Sequence, residues 1–423
     1  MTDTLLERPA EEVTTPRCLF CANDLTVTVV DLGMSPLCES FLSAGQLNRM
    51  EPFYPLHVYV CDRCWLVQVE EYVDPEGLFA LDYRYYSSYS DSWLRHAERY
   101  VETMTERLGL GPQDLVVELG SNDGYLLQYF VRRGIPVLGV EPAGTICQVA
   151  NDRGIRSVPE FFGVDTAERL VAQGHRASLV VGNNVLAQVP DVNDFVGGIA
   201  RILAPGGTVT IEFPHLVRLI AENQFDTIYH EHFSYFSFQT VSTIFAAHGL
   251  TVFDVEELPT HGGSLRIHAR HADEHGRPLT ERAWQLLAAE DEAGVRTVEY
   301  YASFARRVEA TKRRLLEFLV DAKDQGLTVV GYGAPGKGNT LLNYCGVRED
   351  LLAYTVDRNP HKHGRFTPGT HIPIHPPEQI LATRPDYVLI LPWNLRREIV
   401  ESMSVIREWG GRFVVPVPEL RVI

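Results

Sequence analysis

Residues 115–124 read Leu-Val-Val-Glu-Leu-Gly-Ser-Asn-Asp-Gly, an apolar run that leads into a loop bounded by glycines. The run predicts a buried strand, and the Tyr-Leu-Leu-Gln-Tyr-Phe that follows Gly124 predicts a helix. A second strand-like run, 137–140, ends at Glu141, 21 residues after Gly120. A strand, a glycine loop, a helix and a second strand that ends in an acid are typical of a nucleoside-binding α/β fold.

The residues inside this loop discriminate between two kinds of nucleoside cofactor. A dinucleotide loop needs glycine where Asn122 stands, and Asp123 would place a negative charge beside a pyrophosphate. A cofactor with a cationic sulfonium and no phosphate, S-adenosylmethionine, fits these residues better. Glu141 is placed to hold a ribose diol. For the loop alone, a plain turn without a ligand remains an alternative.

The loop and two later segments resemble the class I methyltransferases. Glu118-Leu-Gly-Ser-Asn-Asp-Gly124 is similar to their acid-x-Gly-x-Gly-like loop, with Asn122 at the second glycine position. Arg201-Ile-Leu-Ala-Pro-Gly-Gly-Thr-Val-Thr-Ile-Glu212 resembles the Pro-Gly-Gly turn into their fifth strand. The resemblance implies that S-adenosylmethionine contacts residues of the loop and of three strand ends, namely Glu118, Gly120, Asn122, Asp123, Glu141 and Asn183.

Length and charge narrow the class of protein. A chain of 423 residues exceeds one ordinary domain, so two or three domains are expected. Its 38 basic and 55 acidic residues give a net charge of −17, which argues against a broad nucleic-acid surface. The chain has no run of 18 apolar residues and starts with a polar, acidic stretch. We expect a cytoplasmic protein that binds neither nucleic acid nor membrane.

Four of the seven cysteines form two Cys-x-x-Cys pairs separated by 39 residues: Cys18, Cys21, Cys61 and Cys64. Each pair can present two thiolates to one Zn²⁺, and four thiolates leave no open coordination position, so the pattern predicts a structural zinc site. Two unrelated thiol pairs or a redox disulfide are the alternatives. We interpret Cys38, Cys147 and Cys345 as packing residues.

The last third of the chain predicts helices followed by a second β/α alternation. Residues 278–327 carry apolar side chains at three- and four-residue spacing. Beyond them, a strand leads into Gly331-Tyr-Gly-Ala-Pro-Gly-Lys-Gly-Asn339, with Asp357 downstream. The glycine spacing matches a dinucleotide loop, which leaves an NAD-dependent reductase as an alternative. Pro335 and Lys337 favour instead a seat for a short phosphate group at a helix start.

Together these patterns predict an α/β protein built from four consecutive segments. The N-terminal zinc-binding module spans residues 1–75, and a class I, Rossmann-like methyltransferase domain spans 76–277. A helical connector follows over 278–327. A C-terminal Rossmann-like α/β domain occupies 328–423.

Residues 225–236, Phe-Asp-Thr-Ile-Tyr-His-Glu-His-Phe-Ser-Tyr-Phe, concentrate titratable side chains. In a helix, Tyr229 and His232 would share a face. In a strand, Tyr229 and Glu231 would share one face, and His230 and His232 the other. The His-Glu-x-x-His spacing of a zinc site is missing from this segment. A packed helix whose histidines have only a structural role is one alternative. The third interpretation is general acid/base chemistry, for which histidine and tyrosine are usual carriers.

Six motifs in one order resemble the zinc-containing sugar C-methyltransferases of antibiotic deoxysugar pathways, over essentially the whole chain. They are the paired cysteines, Tyr83-Arg-Tyr-Tyr-Ser-Ser88, Glu118–Gly124, Tyr229-His-Glu-His232, His261-Gly-Gly-Ser-Leu-Arg266 and Gly331–Asn339. The resemblance implies methylation of a dTDP-linked 4-keto-deoxyhexose at a carbon next to the ketone, commonly C3. It also implies a three-domain monomer. Methylation at C5, and O- or N-methylation, stay open.

The resemblance also implies roles for individual residues. His232 would be the base, Tyr229 the hydrogen-bond donor or proton relay, and Glu231 would orient the pair and favour the imidazolium. Tyr83 would close over the sugar or the sulfonium. The implied substrate contacts are Tyr86, Ser88, Gln188, Lys337 and Asn339, the last two at the diphosphate.

Two features leave the substrate pocket open to interpretation. Gln188 departs from the histidine that the resemblance implies at this position. Glutamine can hold a sugar hydroxyl or keto oxygen but cannot titrate, so the resemblance implies no acid/base role here and leaves the methylated carbon open. The paired glycines after His261 allow close backbone approach. That motif predicts either a wall of the sugar pocket or a simple turn.

Overall fold

The computed structural model describes residues 15–74, 86–274 and 276–423. In chain order its strands are β1 Val27–Ser35, β2 Tyr54–Val60, β3 Val67–Val69, β4 Val116–Leu119, β5 Val137–Val140, β6 Ser157–Val158, β7 Ala177–Asn183, β8 Leu203–Pro214, β9 Ser234–Tyr235, β10 Leu250–Leu258, β11 Ser264–His271, β12 Val329–Tyr332, β13 Thr355–Val356, β14 Ile374–His375, β15 Tyr387–Ile390, β16 Arg412–Val415 and β17 Arg421–Val422. The helices are α1 Asp91–Leu108, α2 Leu127–Arg132, α3 Gly144–Asp152, α4 Val164–Ala172, α5 Val192–Ile202, α6 Leu216–Ala221, α7 Phe238–Ala247, α8 Glu281–Ala293, α9 Val298–Tyr301, α10 Phe304–Asp324, α11 Gly336–Cys345, α12 Glu378–Thr383 and α13 Arg396–Ser402.

The N-terminal sheet is antiparallel and has the order β1-β2-β3-β9. In β2, Leu56, Val58 and Val60 are buried and alternate with less buried residues, because successive side chains of a strand point to opposite faces. The fourth strand, β9, comes from far along the chain, where Tyr235 pairs with Val67. The N-terminal sheet therefore contains the end of segment 225–236, for which acid/base chemistry is one prediction.

The central sheet has seven strands in the order β10-β11-β8-β7-β4-β5-β6. Its strands β8, β7, β4, β5 and β6 pair in parallel, and β11 is antiparallel to both neighbours. All four residues of β4 are buried, as expected for a parallel strand that is covered on both faces. The α/β class predicted from residues 115–141 is confirmed.

The C-terminal sheet has the order β14-β13-β12-β15-β16-β17, and only the last pair is antiparallel. Its first five strands have the doubly wound order in which ligands bind beyond the carboxyl ends of the strands. Helix α11 begins at Gly336, directly after the glycine loop. The predicted C-terminal Rossmann-like fold is confirmed.

Three helices, α8, α9 and α10, occupy the stretch predicted as a helical connector. Buried side chains of α10, among them Phe304, Val308 and Leu315, belong to a core that also contains residues of β2 and β12. This helix thereby packs the N-terminal and C-terminal sheets together. The four segment boundaries stay predictions. Within the described part of the chain, no helix combines the length and the apolar character needed to cross a membrane.

Candidate active site

A cavity of 1490 Å³ brings together residues of the central and C-terminal sheets and residues that follow β1 or precede β9 of the N-terminal sheet. Its wall includes Gly120 after β4, Glu141 after β5 and Asn183 at the end of β7, together with Gly333 after β12. The carboxyl ends of the parallel strands in two sheets thus open into one space, which is where open α/β sheets bind their ligands.

The glycine loop after β4 has a strained backbone that its neighbours hold in place. Gly120 (φ +65°), Asn122 (φ +48°) and Gly124 (φ +79°) all adopt left-handed conformations. The carboxylate of Glu141 accepts hydrogen bonds from the backbone N–H groups of Asn122 and Ala143, each at 2.9 Å. Glu141 therefore shapes the loop as well as facing the cavity.

Four of the six predicted cofactor contacts line the cavity: Gly120, Asn122, Glu141 and Asn183. Glu118 and Asp123 do not, because both side chains are fully buried. The carboxylate of Asp123 binds Arg153 at 3.1 Å and accepts a hydrogen bond from the Ser88 hydroxyl. Through its hydrogen bond with Ser88, Asp123 thus links residues 86–90 to the buried side of the glycine loop.

The wall beside the loop fits S-adenosylmethionine. Trp93 lines the cavity, and its ring centroid lies 5.9 Å from that of Tyr125 and 4.9 Å from that of His96. Aromatic faces attract a sulfonium cation. Carboxylate and amide groups of Glu141 and Asn183 offer partners for ribose hydroxyls and amino groups.

Substitution of Gly120 by alanine is expected to weaken S-adenosylmethionine binding about tenfold. The left-handed backbone costs alanine about 1–2 kcal/mol, and the new Cβ would lie 3.0 Å from Val185 Cγ2 in the cofactor wall. Isothermal titration calorimetry with the cofactor measures the loss. Gly134→Ala is the matched control, since Gly134 has φ +71° but open space around its Cα. Equal affinity losses in both variants would contradict a role for the loop.

The segment from Tyr229 to His232 is neither a helix nor a strand. It follows a 3-10 turn at Phe225–Thr227 and leads into β9. The rings of Tyr229 and His232 lie 4.2 Å apart between centroids, and both line the cavity. His230 faces the N-terminal sheet, where its Nε2 lies 3.1 Å from the carbonyl oxygen of Pro55.

Two neutral imidazoles face this part of the cavity. Burial is the main cause that lowers the pKa of His232 to about 3; electrostatic interactions with His261 and Lys337 lower it further, whereas its hydrogen bond with the Thr227 backbone raises it. Burial and Lys337 lower the pKa of His261 to about 4. The Thr227 contact occupies one ring nitrogen of His232, so the other can accept a proton.

Glu231 was expected to orient the Tyr229–His232 pair, but in the structure its hydrogen-bond partner is Cys38. Its carboxyl Oε1 accepts a hydrogen bond from Cys38 Sγ at 3.6 Å. Among the residues that the structure covers, Glu231 makes no hydrogen bond or ion pair with His232. Orientation of the imidazole comes from Thr227 instead. Cys38, interpreted as a packing residue, contacts a polar group of the site.

The predicted substrate contacts divide into two groups. Tyr86, Gln188 and Lys337 line the cavity. Ser88 does not, since its hydroxyl binds Asp123. Asn339 is also absent from the cavity wall, because it is buried and its Nδ2 donates to the Cys38 carbonyl oxygen at 2.6 Å. Tyr83 lies outside the described residues.

The N-terminus of α11, predicted to bind a short phosphate group, contacts the side chain of Glu39 instead. Burial raises the pKa of Glu39 above its ordinary value, against the opposing effects of Lys362 and of a hydrogen bond with the Gly336 backbone at the start of α11. Lys362 Nζ lies 3.3 Å from Glu39 Oε2. A carboxylate at the positive end of a helix is favourable. Lys337 Nζ donates to Asn394 Oδ1 at 3.0 Å and lies 4.8 Å from the Trp393 ring centroid.

Sequence reasoning missed a charged network in the wall. Glu212 Oε2 binds His96 Nε2 at 2.9 Å and Arg266 Nη2 at 2.6 Å. Although burial raises the pKa of Glu212, His96 and Arg266 lower it to about 2. No local signal pairs His96 with an acid 116 residues away. His261 itself lines the cavity, which favours the pocket-wall interpretation of its motif over a simple turn.

The four predicted zinc ligands lie together, with their sulfur atoms all within 4.8 Å of one another. The separations are 3.5 Å between Cys18 and Cys64 and 3.6 Å between Cys21 and Cys61. A disulfide needs about 2.05 Å, whereas tetrahedral zinc with bonds of about 2.3 Å places sulfurs about 3.8 Å apart. The thiolate set therefore fits zinc, and Gln68 Nε2 supports it with a hydrogen bond to Cys18 Sγ at 3.3 Å.

Three family models match the chain in succession. Residues 18–79 match "Putative zinc binding domain", residues 69–255 match "Methyltransferase domain" and residues 259–418 match "C-methyltransferase C-terminal domain". C-methyltransferase NovU from Streptomyces niveus is 40% identical over 418 residues, which cover 98% of this chain and 97% of that protein.

Two other similarities cover less of the chain. A ubiquinone biosynthesis O-methyltransferase from Methylobacterium sp. (strain 4-46) is 35% identical over 103 residues, 23% of this chain and 41% of that protein. The structure of magnesium protoporphyrin IX methyltransferase from Synechocystis PCC 6803 with bound S-adenosylmethionine aligns with a TM-score of 0.34 at 13% identity, covering 48% of this chain and 99% of that one.

Proposed function

The chain belongs to the S-adenosylmethionine-dependent C-methyltransferases with an N-terminal zinc-binding domain, and on this basis we propose that it methylates a dTDP-linked 4-keto-deoxyhexose at a carbon next to the ketone, C3 in the first instance. The single observation that carries the proposal is the position of the His232 imidazole, whose ring centroid lies 4.2 Å from that of Tyr229 in the same cavity as the cofactor loop. A C–H next to a ketone is the carbon acid that such a base can deprotonate.

In the proposed reaction His232 removes the proton from the ring carbon, and the C–H electron pair moves into an enolate. The Tyr229 hydroxyl donates a hydrogen bond to the enolate oxygen, which lowers the energy of the developing charge. S-adenosylmethionine supplies the electrophilic methyl group. The cavity wall would align the ring carbon with that methyl group, so that the carbon–carbon bond forms and the carbonyl returns as the sulfur–methyl bond breaks and S-adenosylhomocysteine leaves. The proton on His232 then leaves to solvent.

The charges around the cavity support a nucleotide-linked substrate. In a chain of net charge −17, four cationic side chains from α11 and from the segment after β13 line this wall: Lys337, Arg358, Lys362 and Arg365. Lys362 already pairs with Glu39. Since cations bind phosphate oxygens strongly, the C-terminal side of the cavity suits a diphosphate.

The deciding experiment combines the protein and S-adenosylmethionine with dTDP-4-keto-deoxyhexoses that carry deuterium at C3 or at C5. Mass spectrometry and NMR locate the new methyl group and the lost deuterium. Methylation at C3 with loss of the C3 deuterium is expected. Loss from C5 would move the reaction to that carbon, and a methyl group on oxygen or nitrogen with both deuterium atoms retained would contradict the proposal.

Lys337→Met is expected to raise the KM for the nucleotide sugar about ten- to a hundredfold, because a charged hydrogen bond is worth about 1.5–3 kcal/mol. The dissociation constant of S-adenosylmethionine should stay near its original value. Steady-state kinetics and calorimetry measure the two quantities. Lys312→Met is the matched control, since Lys312 lies over the Tyr344 ring and is no part of the cavity wall. A loss confined to cofactor binding would show that Lys337 does not contact the sugar nucleotide.

A further inference from the structure

Two carboxyl groups from distant parts of the chain meet at the cavity: Glu39, which follows β1, and Glu231, which precedes β9. Their surroundings differ. Glu39 has Lys362 at 3.3 Å and the start of α11 beside it. Glu231 is 7% exposed, and its hydrogen bond comes from the Cys38 thiol, a weak donor. The ammonium group of Lys362 is thus paired with Glu39 and makes no ion pair with Glu231 among the described residues.

Lys362 is fixed in that arrangement. Its Nζ donates to the Ala334 carbonyl oxygen at 2.8 Å and lies 4.4 Å from the Phe41 ring centroid. Burial lowers the pKa of Lys362, but Glu39 and Asp357 raise it above its usual value, so the ammonium stays charged. Glu39 and Lys362 therefore form an ion pair beside Glu231.

Burial raises the pKa of both acids, but of the two it is Glu39 that has an ammonium group within ion-pair distance. Burial, and then the charge of Glu39, raise the pKa of Glu231 to about 8, against smaller opposing effects of Cys38 and Lys362. Burial also raises the pKa of Cys38 well above its ordinary value, so the thiol keeps its proton. Glu231 is consequently a carboxylic acid at pH 7, and such a group can donate a hydrogen bond.

We propose that Glu231 acts as a neutral acid that donates a hydrogen bond to the carbonyl oxygen of the substrate, and that Glu39 is the positioning residue that keeps it neutral. The proposal rests on the proposed function, because only a reaction through an enolate creates negative charge on that oxygen. Cys38 engages one oxygen of Glu231, which leaves the other for the ligand. A tyrosine together with a neutral carboxylic acid is an effective donor pair for an enolate oxygen.

No proton needs to leave Glu231 in this step. The proton removed from carbon goes to His232, and the enolate oxygen accepts hydrogen bonds from the Glu231 and Tyr229 hydroxyl groups. When the carbonyl re-forms, both donors retain their protons. Glu231 therefore has to be protonated at the start of every turnover, and ionisation of Glu231 removes a donor and places a repelling charge beside the enolate.

The pH dependence of kcat tests this assignment. The wild-type rate should fall above about pH 8. In Glu39→Gln the fall should move to lower pH by about one unit, because loss of the carboxylate and the unpaired Lys362 both favour ionised Glu231. Glu39→Asp should restore the original profile. Glu51→Gln is the matched control, since Glu51 pairs with His371 and is no part of the cavity wall.

Glu231→Gln separates Glu231 from other titrating groups. Its amide still donates, so we expect a rate about tenfold lower that no longer falls near pH 8. A basic fall that persists in this variant belongs to Lys337 or Tyr229 and overturns the proposal. An unchanged profile in Glu39→Gln overturns the role of Glu39.

Infrared spectroscopy gives a readout that needs no substrate. The difference spectrum of wild type minus Glu231→Gln at pH 7 should contain the C=O band of a protonated carboxyl group, and this band should disappear above pH 9. Absence of the band at pH 7 overturns the neutral acid whether or not any sugar is methylated. If the band is present and the C3- and C5-deuterated sugars are not methylated, the failure lies in the proposed substrate.

Discussion

Replacement of His232 by asparagine is expected to lower kcat by two to four orders of magnitude, the usual contribution of a general base. Asparagine keeps much of the size and polarity of the imidazole but cannot take up a proton. Burial lowers the pKa of His232 to about 3, so its imidazole is neutral at pH 7, and its ring lies on the cavity wall. Rapid-quench measurement of methyl transfer, with a dTDP-4-keto-deoxyhexose as substrate, gives the rate directly.

His230→Asn is the matched control for this substitution. His230 belongs to the same motif, but its ring contacts the carbonyl oxygen of Pro55 and the edge of Tyr54 in the N-terminal sheet. We expect His230→Asn to retain most of the activity, and both variants to bind S-adenosylmethionine as the wild type does. A near-normal rate in His232→Asn would exclude this imidazole as the base and would make Tyr229 the principal candidate.

Cys61→Ser is expected to abolish zinc binding and, with it, methyl transfer. Structural zinc sites contribute about 10–16 kcal/mol in small zinc-binding peptides, an amount comparable with the whole stability of a domain. Cys61 and Cys64 lie in the turn between β2 and β3. Strand β3 in turn pairs with β9, which begins two residues after His232. Loss of the metal should therefore displace the catalytic segment as well as unfold the N-terminal module.

Metal analysis, thermal unfolding and the methyl-transfer assay together test this expectation. Cys147→Ala is the matched control, because Cys147 is a buried thiol on α3 that lies outside the cluster of four sulfurs. It should retain zinc at one equivalent together with most of the activity. Full activity in a Cys61→Ser protein that holds no zinc would show that the N-terminal module does not support the site.

The parts of the site that sequence reasoning predicted well are those with short-range signals. Cys-x-x-Cys spacing places two thiolates within one turn, and the strand-loop-helix-strand unit that ends at Glu141 is present as β4, the glycine loop, α2 and β5. The contacts of this loop with the cofactor stay predictions. The same reasoning was less successful where a side chain has a choice of partners. Ser88 and Asn339 were expected at the substrate, but each binds a neighbouring protein group instead.

The amino-acid sequence alone determined the α/β class and the four cysteines of the zinc-binding module, because hydrophobic period and residue spacing act over a few residues. Tertiary structure decided the chemistry of the remaining groups. Cys38 and Glu231 are 193 residues apart in sequence, yet their contact and the nearby Glu39 help determine whether Glu231 carries a proton. Protonation state depends on burial and on every charge within several ångströms, and those distances exist only once the sheets have packed together.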